Sequence, residues 1–234
     1  MHFSDPSSEA SRPFLTWQSI IDWAQTHYRD RIFKKDERIP ARPELLYLVN
    51  QGAIRLVGVP QNNLKSDRES ESTLPNSDLI EEAFLGFVDA GQPFEIVAQS
   101  SFVIQAYAHV DRTQVIWLYW QDLENWPHFT KQVYEALRFQ HQRKLLWLSA
   151  LGQRKTIDRL TSFLTLLIEE YGVAKEQFYC LPYTLTHAQI GSAIGSTRVT
   201  VTRLMGKLQR QGIISIKDDR SICMPKFQPK NQNK

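Results

Sequence analysis

The hydrophobic period of this chain changes after Trp120, and that change limits the folds open to it. Upstream, apolar residues come in short runs rich in β-branched and aromatic side chains. "LLYLVNQGAIRLVGV" sets two such runs around Asn50-Gln51-Gly52, and "AFLGFV", "FEIVA", "SFVIQAYAHV" and "TQVIWLYW" follow. Runs of this length with turns between them read as strands of a sandwich or barrel, and the pair around Gly52 reads as a hairpin. Downstream, apolar residues recur at three- and four-residue steps, the period of a helix. Strands gathered first and helices after give an α+β chain.

The spacing divides the chain into a β-rich part, residues 1–122, a long helix, 123–152, and a C-terminal part, 153–234. Residues 1–13 are polar and expected to be disordered. A short helix is expected between Trp17 and Tyr28, where Ile20, Ile21, Trp23 and Ala24 share a face. Pro60 to Asp78 is almost wholly polar and reads as an exposed loop. The long helix carries Val133, Leu137, Leu145, Leu148 and Leu151 on one stripe, interrupted by Gln140, His141 and Lys144. A stripe on so long a helix extends past a compact sandwich and favours a second copy of the chain across it. Packing on its own domain is the alternative. A further helix in "TIDRLTSFLTLLIEEYGV" stops at Gly172, and "YCLPYTLT" reads as an extended link.

Charge separates the same parts. Residues 152–234 hold 13 Lys and Arg against 6 Asp and Glu, while residues 1–151 hold 15 against 19. A basic C-terminal part suits a polyanionic partner. Two cysteines, Cys180 and Cys223, are too few for a disulfide framework or a cysteine-ligated cluster, so a reduced, cytoplasmic setting is expected. The N-terminus lacks the basic-then-apolar layout of a secretory signal. No apolar run reaches the ~20 residues of a membrane span, so no membrane partner is expected. No nucleophile–base pair, phosphate-cradling glycine loop or metal-spaced set is present, which excludes an enzyme.

Leu185 to Ile214 reads as two helices and a tight turn. Ile190 and Ile194 face inward from the first, Gly191 leaves room for close helix approach, and Gly195 makes the turn. Ser196 or Thr197 caps the second helix. Val201, Leu204, Met205 and Leu208 form its inward face, leaving Arg198, Val199, Thr202 and Arg203 outward. In a helix-turn-helix this end enters the major groove of double-stranded DNA. Arg198 and Arg203 can each donate two hydrogen bonds to guanine, and Val199 can touch a thymine methyl group. Ser196, Thr197, Thr200 and Thr202 offer hydroxyls to the DNA backbone, and Lys207 adds positive charge. "IISIKDDRSICMP" reads as strand, turn, strand, with Lys217 and Arg220 near the tip to meet phosphates.

"LTHAQIGSAIGSTRVTVTRLMGKLQRQGIIS" closely resembles the winged-helix signature of the Crp/Fnr superfamily of bacterial transcription regulators. "IGSTRVTVTRL" is similar to the recognition helix of its NtcA branch, the cyanobacterial nitrogen regulators. The signature covers about thirty residues, and weaker resemblance covers the rest. It implies an N-terminal β-roll (a jelly roll like that of cyclic-nucleotide-binding domains), a long dimerisation helix and a C-terminal winged helix-turn-helix. It implies a homodimer that binds a two-fold symmetric site and acts through RNA polymerase. Arg198, Val199 and Arg203 match the base-reading positions. Crp has Glu at the position of Val199, so the expected site is a GTA…TAC palindrome.

The sensory half departs from that pattern. Members that bind cyclic AMP hold its phosphate with an arginine, and Gly91 to Val110 contains none. NtcA-like members hold 2-oxoglutarate with arginines whose positions correspond here to Phe102 and Gln140, and Arg138 and Arg143 are off register. An Fnr-like cluster lacks its cysteines, and six scattered histidines do not mark a haem site. The expectation is a regulator with an altered or absent effector and no cofactor. The alternative is a sensor of the same fold gated by a cyclic nucleotide or small organic acid in the β-roll.

Overall fold

The computed structural model describes residues 18–42, 44–60, 82–96 and 101–226. The readings of residues 1–13 and of the loop beyond Pro60 lie outside them. The elements are α1 (Gln18–Thr26), β1 (Asp30–Phe33), β2 (Arg38–Ile39), β3 (Leu45–Gln51), β4 (Ala53–Pro60), β5 (Ala83–Asp89), β6 (Pro93–Phe94), β7 (Phe102–Ala108) and β8 (Thr113–Tyr119). A 3₁₀ turn (Trp120–Asn125) leads to α2 (Pro127–Leu151) and α3 (Thr156–Tyr171). Then come β9 (Val173–Lys175), β10 (Phe178–Cys180), α4 (His187–Ile194), α5 (Arg198–Arg210), β11 (Ser215–Ile216) and β12 (Ile222–Pro225). The chain divides into two compact units, and the division falls inside α2, after Lys144.

The first unit holds two four-stranded antiparallel sheets, in the orders β1-β8-β3-β6 and β2-β7-β4-β5. Phe33, Tyr47, Val49 and Val115 of one sheet meet Ile39, Ile54, Val88, Ala106 and Ala108 of the other in a shared core. The next residues along β3 and β8 face the other way. Leu46 lies opposite Leu118 and Leu48 opposite Ile116, and these four pack with Ile20, Ile21 and Ala24 of α1 and Phe129 and Val133 of α2. Burial on both faces explains why Leu45–Val49 is continuously apolar rather than alternating.

Two readings are corrected here. The runs around Gly52 do not form a hairpin: β3 pairs with β8 and β6, while β4 pairs with β5 and β7. Gly52 has φ +84° and carries the chain from one sheet to the other. A Cβ there would lie 2.7 Å from Thr113 Oγ1. The turn signal was genuine, but two strands that each need cover on both faces lie in opposite layers. The helical stripe also divides. Val133 is 0% exposed and Leu137 packs beside it on the core of its own unit, so Val133 is not available to a second chain. Leu145 and Leu148 are exposed, the latter at 64%, and Leu151 is half-buried. Tyr134, Phe139 and Leu146 are further exposed apolar positions on α2.

The second unit packs α3, α4 and α5 beside a four-stranded sheet of order β11-β12-β10-β9. Leu160, Phe163 and Leu164 of α3, Ile190 and Ile194 of α4, and the inward face of α5 are buried. Trp147, near the end of α2, stacks on Phe163 at 5.3 Å. The stretch read as an extended link begins with β10, whose Cys180 lies opposite Cys223 of β12 and is joined to it in a disulfide. The reading of two unlinked, reduced cysteines is thus corrected. Forty-three residues separate them in sequence, so only antiparallel register brings the two Cβ atoms together.

The split stripe makes a prediction. Val133→Ala should lower the unfolding free energy by about 2 kcal/mol in urea denaturation. Leu148→Ala should change it by less than about 0.5 kcal/mol at concentrations where the chain is monomeric.

Candidate nucleic-acid interface

The interface is set by how tightly the chain turns between α4 and α5. At the start of α4, Thr186 Oγ1 accepts the Gln189 N–H at 3.1 Å and Gln189 Oε1 accepts the Thr186 N–H at 2.9 Å. Together they form a capping box that fixes where the helix begins. At its end Gly195 adopts φ +62°, the left-handed conformation that favours glycine. Gly191 is required for a different reason. The Gly191 carbonyl accepts the Ser196 N–H at 2.8 Å, and a Cβ on Gly191 would lie 2.7 Å from the Ser196 carbonyl oxygen. Thr197, not Ser196, caps α5, its Oγ1 accepting the Thr200 N–H at 3.2 Å.

Arg159 locks the end of α4 from α3. Its Nε donates to the Ile194 carbonyl at 3.0 Å, Nη1 to the Gln153 carbonyl at 3.1 Å, and Nη2 to Thr156 Oγ1 at 3.2 Å. A cation on the last carbonyls of a helix is favoured by the helix dipole as well as by the hydrogen bond. Nothing in the sequence marked it, because an Arg between Asp158 and Leu160 on an amphipathic helix has the look of a solvated side chain.

α5 buries Val201, Leu204, Met205 and Leu208 and exposes Arg198, Val199, Thr202, Arg203 and Lys207. Val199 is 79% exposed. The helix contains no carboxylate. The predicted base-reading residues therefore lie together on one open edge, with Lys207 a turn beyond Arg203.

The hydroxyls are less equal than the sequence implied. Thr202 Oγ1 donates to the Arg198 carbonyl at 2.9 Å and lies 2.8 Å from His187 Nδ1. With the hydroxyl proton on the carbonyl, the imidazole donates to the oxygen, and both ends of the hydroxyl are spent inside the domain. Thr197 Oγ1 donates to Thr200 Oγ1 at 3.0 Å, which leaves the Thr200 proton to be donated outward. Ser196 is half-buried at the turn. His187 was missed in the sequence because only the fold brings the first residue of α4 against the second turn of α5.

The hairpin of β11 and β12 turns tightly through residues 217–220, with the Lys217 carbonyl accepting the Arg220 N–H at 2.8 Å. The Lys217 ammonium lies 4.6 Å from the Phe178 ring centroid, where the cation–π attraction holds it against β10. Arg220 is exposed at φ +62°. Asp219 accepts the Ser221 N–H at 2.9 Å and pairs with Lys175 at 3.3 Å. Hydrogen bonds from Ser221, with the Lys175 charge adding to them, hold the Asp219 carboxyl down at about 2.

In the first unit, Phe102 is 61% exposed. Gln140 Nε2 donates to the Pro93 carbonyl at 2.8 Å, and Lys144 Nζ, one turn further along α2, donates to the Leu85 carbonyl. β6 and β5 are the edge strands of the two sheets, so these side chains satisfy one edge carbonyl of each. Arg138 lies instead on an open hollow of about 420 Å³ beside Tyr134 and Glu135. Among the described residues no three His, Cys, Asp or Glu are placed to hold a metal ion. Among the described residues no helix is long and apolar enough to cross a membrane.

The family model of the Crp-like helix-turn-helix domain matches residues 158–228, which contain α4, α5 and the β11–β12 hairpin. The global nitrogen regulators of Synechocystis sp. and Nostoc sp. are each 35% identical to the chain over 96 residues, 41% of this chain and 43% of theirs. The matched region thus spans less than half the length of these curated relatives. Beyond the Crp-like domain, similarity is one of fold. A cyclic nucleotide-binding domain containing protein from Listeria monocytogenes superposes with a TM-score of 0.66 at 13% identity, covering 88% of this chain and 95% of that one. A CooA mutant from Carboxydothermus hydrogenoformans superposes at 0.61 and 21%, covering 84% and 83%. Over the matched 84–88% the chain shares the fold of these structures: a β-sheet-rich N-terminal unit, long central helices and a C-terminal helix-turn-helix domain.

Three measurements check the local geometry. Gly191→Ala should cost about 1–3 kcal/mol of stability, since either the turn or the helix must shift. Thr197→Ala should cost about 1 kcal/mol through loss of the cap. The Asp219 carboxyl should titrate near pH 2 in a carboxyl-resolved NMR titration. Because its pKa is depressed on folding, its support of the hairpin is complete above the ordinary aspartate value of about 3.9 and is lost as pH falls through about 2.

Proposed function

We propose that the chain is a sequence-specific DNA-binding transcription regulator of the Crp/Fnr type, working in the cytoplasm through RNA polymerase. One observation carries the reading. The exposed edge of α5 presents Arg198, Val199 and Arg203 with no carboxylate on the helix, on a domain held rigid from behind. Arginine forks read guanine pairs, and an exposed valine between them accepts a thymine methyl. Val199 in place of an acid favours a GTA…TAC palindrome, and the likeness of the matched region to the global nitrogen regulators supports the same choice. Thr200, Lys207 and Arg220 are the backbone contacts best supplied with a free donor or charge. Thr197 and Thr202 contribute mainly by ordering α5.

A palindrome calls for two copies. The exposed Leu145 and Leu148 on α2, with Tyr134 and Phe139, support residues 123–152 as the dimerisation helix between a sensor-like 1–122 and a DNA-binding 153–234. The effector is altered or absent in this reading. Gln140 and Lys144 are engaged with sheet-edge carbonyls, and Gly91–Val110 supplies no arginine for a phosphate or dicarboxylate.

A mobility-shift titration tests the proposal. The wild type should prefer a GTA…TAC duplex over a scrambled one, and Arg203→Ala should lose about 1–3 kcal/mol on the specific duplex alone. Equal loss on every duplex would reassign Arg203 to the backbone. Cyclic AMP or 2-oxoglutarate should leave the affinity unchanged, and tightening with either would remove the effector reading.

A further inference from the structure

Gly206 is the one glycine of the second unit's helix pair that the fold does not require. It follows Val199 by seven residues, Thr202 by four and Arg203 by three. It therefore lies in line with the exposed Val199, Thr202 and Arg203 of α5, itself half-buried, opposite the buried Val201, Leu204, Met205 and Leu208. Gly195 is needed for its positive φ, and Gly191 because a Cβ would strike the Ser196 carbonyl. Neither reason applies to Gly206. It is not among the positive-φ residues, and a Cβ would meet only Arg210 Nη1, at 3.6 Å, an ordinary contact with the flexible end of a side chain. It is the ninth of thirteen residues in α5, well inside the helix. There glycine is the least favourable residue save proline. Within the chain, glycine at this position weakens the helix and relieves nothing.

We propose that Gly206 is the point where the backbone of α5 lies against the DNA duplex, and that the partner excludes a side chain there. This rests on the reading of α5 as the recognition helix. The surroundings fit a polyanion. Lys207 is the next residue, the Arg210 guanidinium lies one turn on, and no carboxylate occurs on the helix. Backbone without a side chain, next to Lys207 and overlain only by the flexible end of Arg210, lets the wall of a groove come close once that guanidinium turns to a phosphate. The contact extends the interface one turn beyond Arg203, to a residue that carries no functional group and so escapes any search for donors.

The experiment is Gly206→Ala in the full chain, with Gly206→Ser as a second variant, measured for thermal stability and for duplex affinity by fluorescence anisotropy. Stability and affinity should move in opposite directions. Tm should rise by about 2–4 °C for Ala, because the helix is strengthened. Affinity for the specific duplex should fall by about tenfold or more for both variants. An unchanged affinity would overturn the proposal while leaving the recognition-helix reading intact. A lowered Tm for Ala would overturn it as well, by showing that the fold itself demands glycine. Absence of duplex binding by the wild type would overturn both.

Discussion

The backbone of α4 at Gly191 lies against the carbonyl of Ser196, and the outer edge of α5 owes its direction to that contact. Any side chain at 191 would push the turn away and rotate α5 about its start. Three further features hold the same few residues: the left-handed Gly195, the Thr197 cap and the Arg159 guanidinium on the Ile194 carbonyl. None of these groups reaches outward. Their work is to make the orientation of Arg198, Val199 and Arg203 a property of packed backbone rather than of loop conformation. The proposed reading edge needs this, because a base contact requires its donor placed to within a fraction of an ångström.

The local elements of this unit were legible because each carried its own chemistry. Gly195 marked the end of α4, and Val201, Leu204, Met205 and Leu208 the buried face of α5, while the Thr186–Gln189 capping box emerged only in the structure. The run Thr197–Thr202 is rich in β-branched residues of modest helix propensity, and tertiary burial of Val201 overrides that preference. What escaped was relational. Gly52 has the signature of a hairpin and serves instead as a crossing between sheets. Val133 shares a helical stripe with Leu148, yet one lies over the sheet and the other does not. Cys180 and Cys223 meet only through the register of β10 and β12. Arg159 and His187 act across helices. Periodicity reports which face of an element is apolar and is silent on what covers it.

Hydrogen bonds distinguish the hydroxyls at the start of α5 from one another. Four hydroxyls near the start of α5 looked equivalent in sequence. The structure spends Thr197 on the cap and Thr202 on Arg198 and His187, and leaves Thr200 with a proton to give. The same accounting applies to α2. Gln140 and Lys144 look like breaks in an apolar stripe, yet they cap the carbonyls of two sheet edges. An unpaired edge carbonyl under a helix is costly, so these polar residues join the helix to the sandwich. The lysine at the hairpin tip is likewise drawn to an aromatic ring, which leaves Arg220 the more open cation there.

The central claim is that the exposed edge of α5 reads base pairs and that Val199 selects which ones. Selection of bound duplexes from a random-sequence pool, run in parallel with the wild type and with Val199→Glu, tests it most directly. The account predicts a two-fold symmetric consensus for the wild type. For the variant it predicts a changed preference confined to one base pair in each half-site. Recovery of no consensus, or of the same consensus by both proteins, would contradict it.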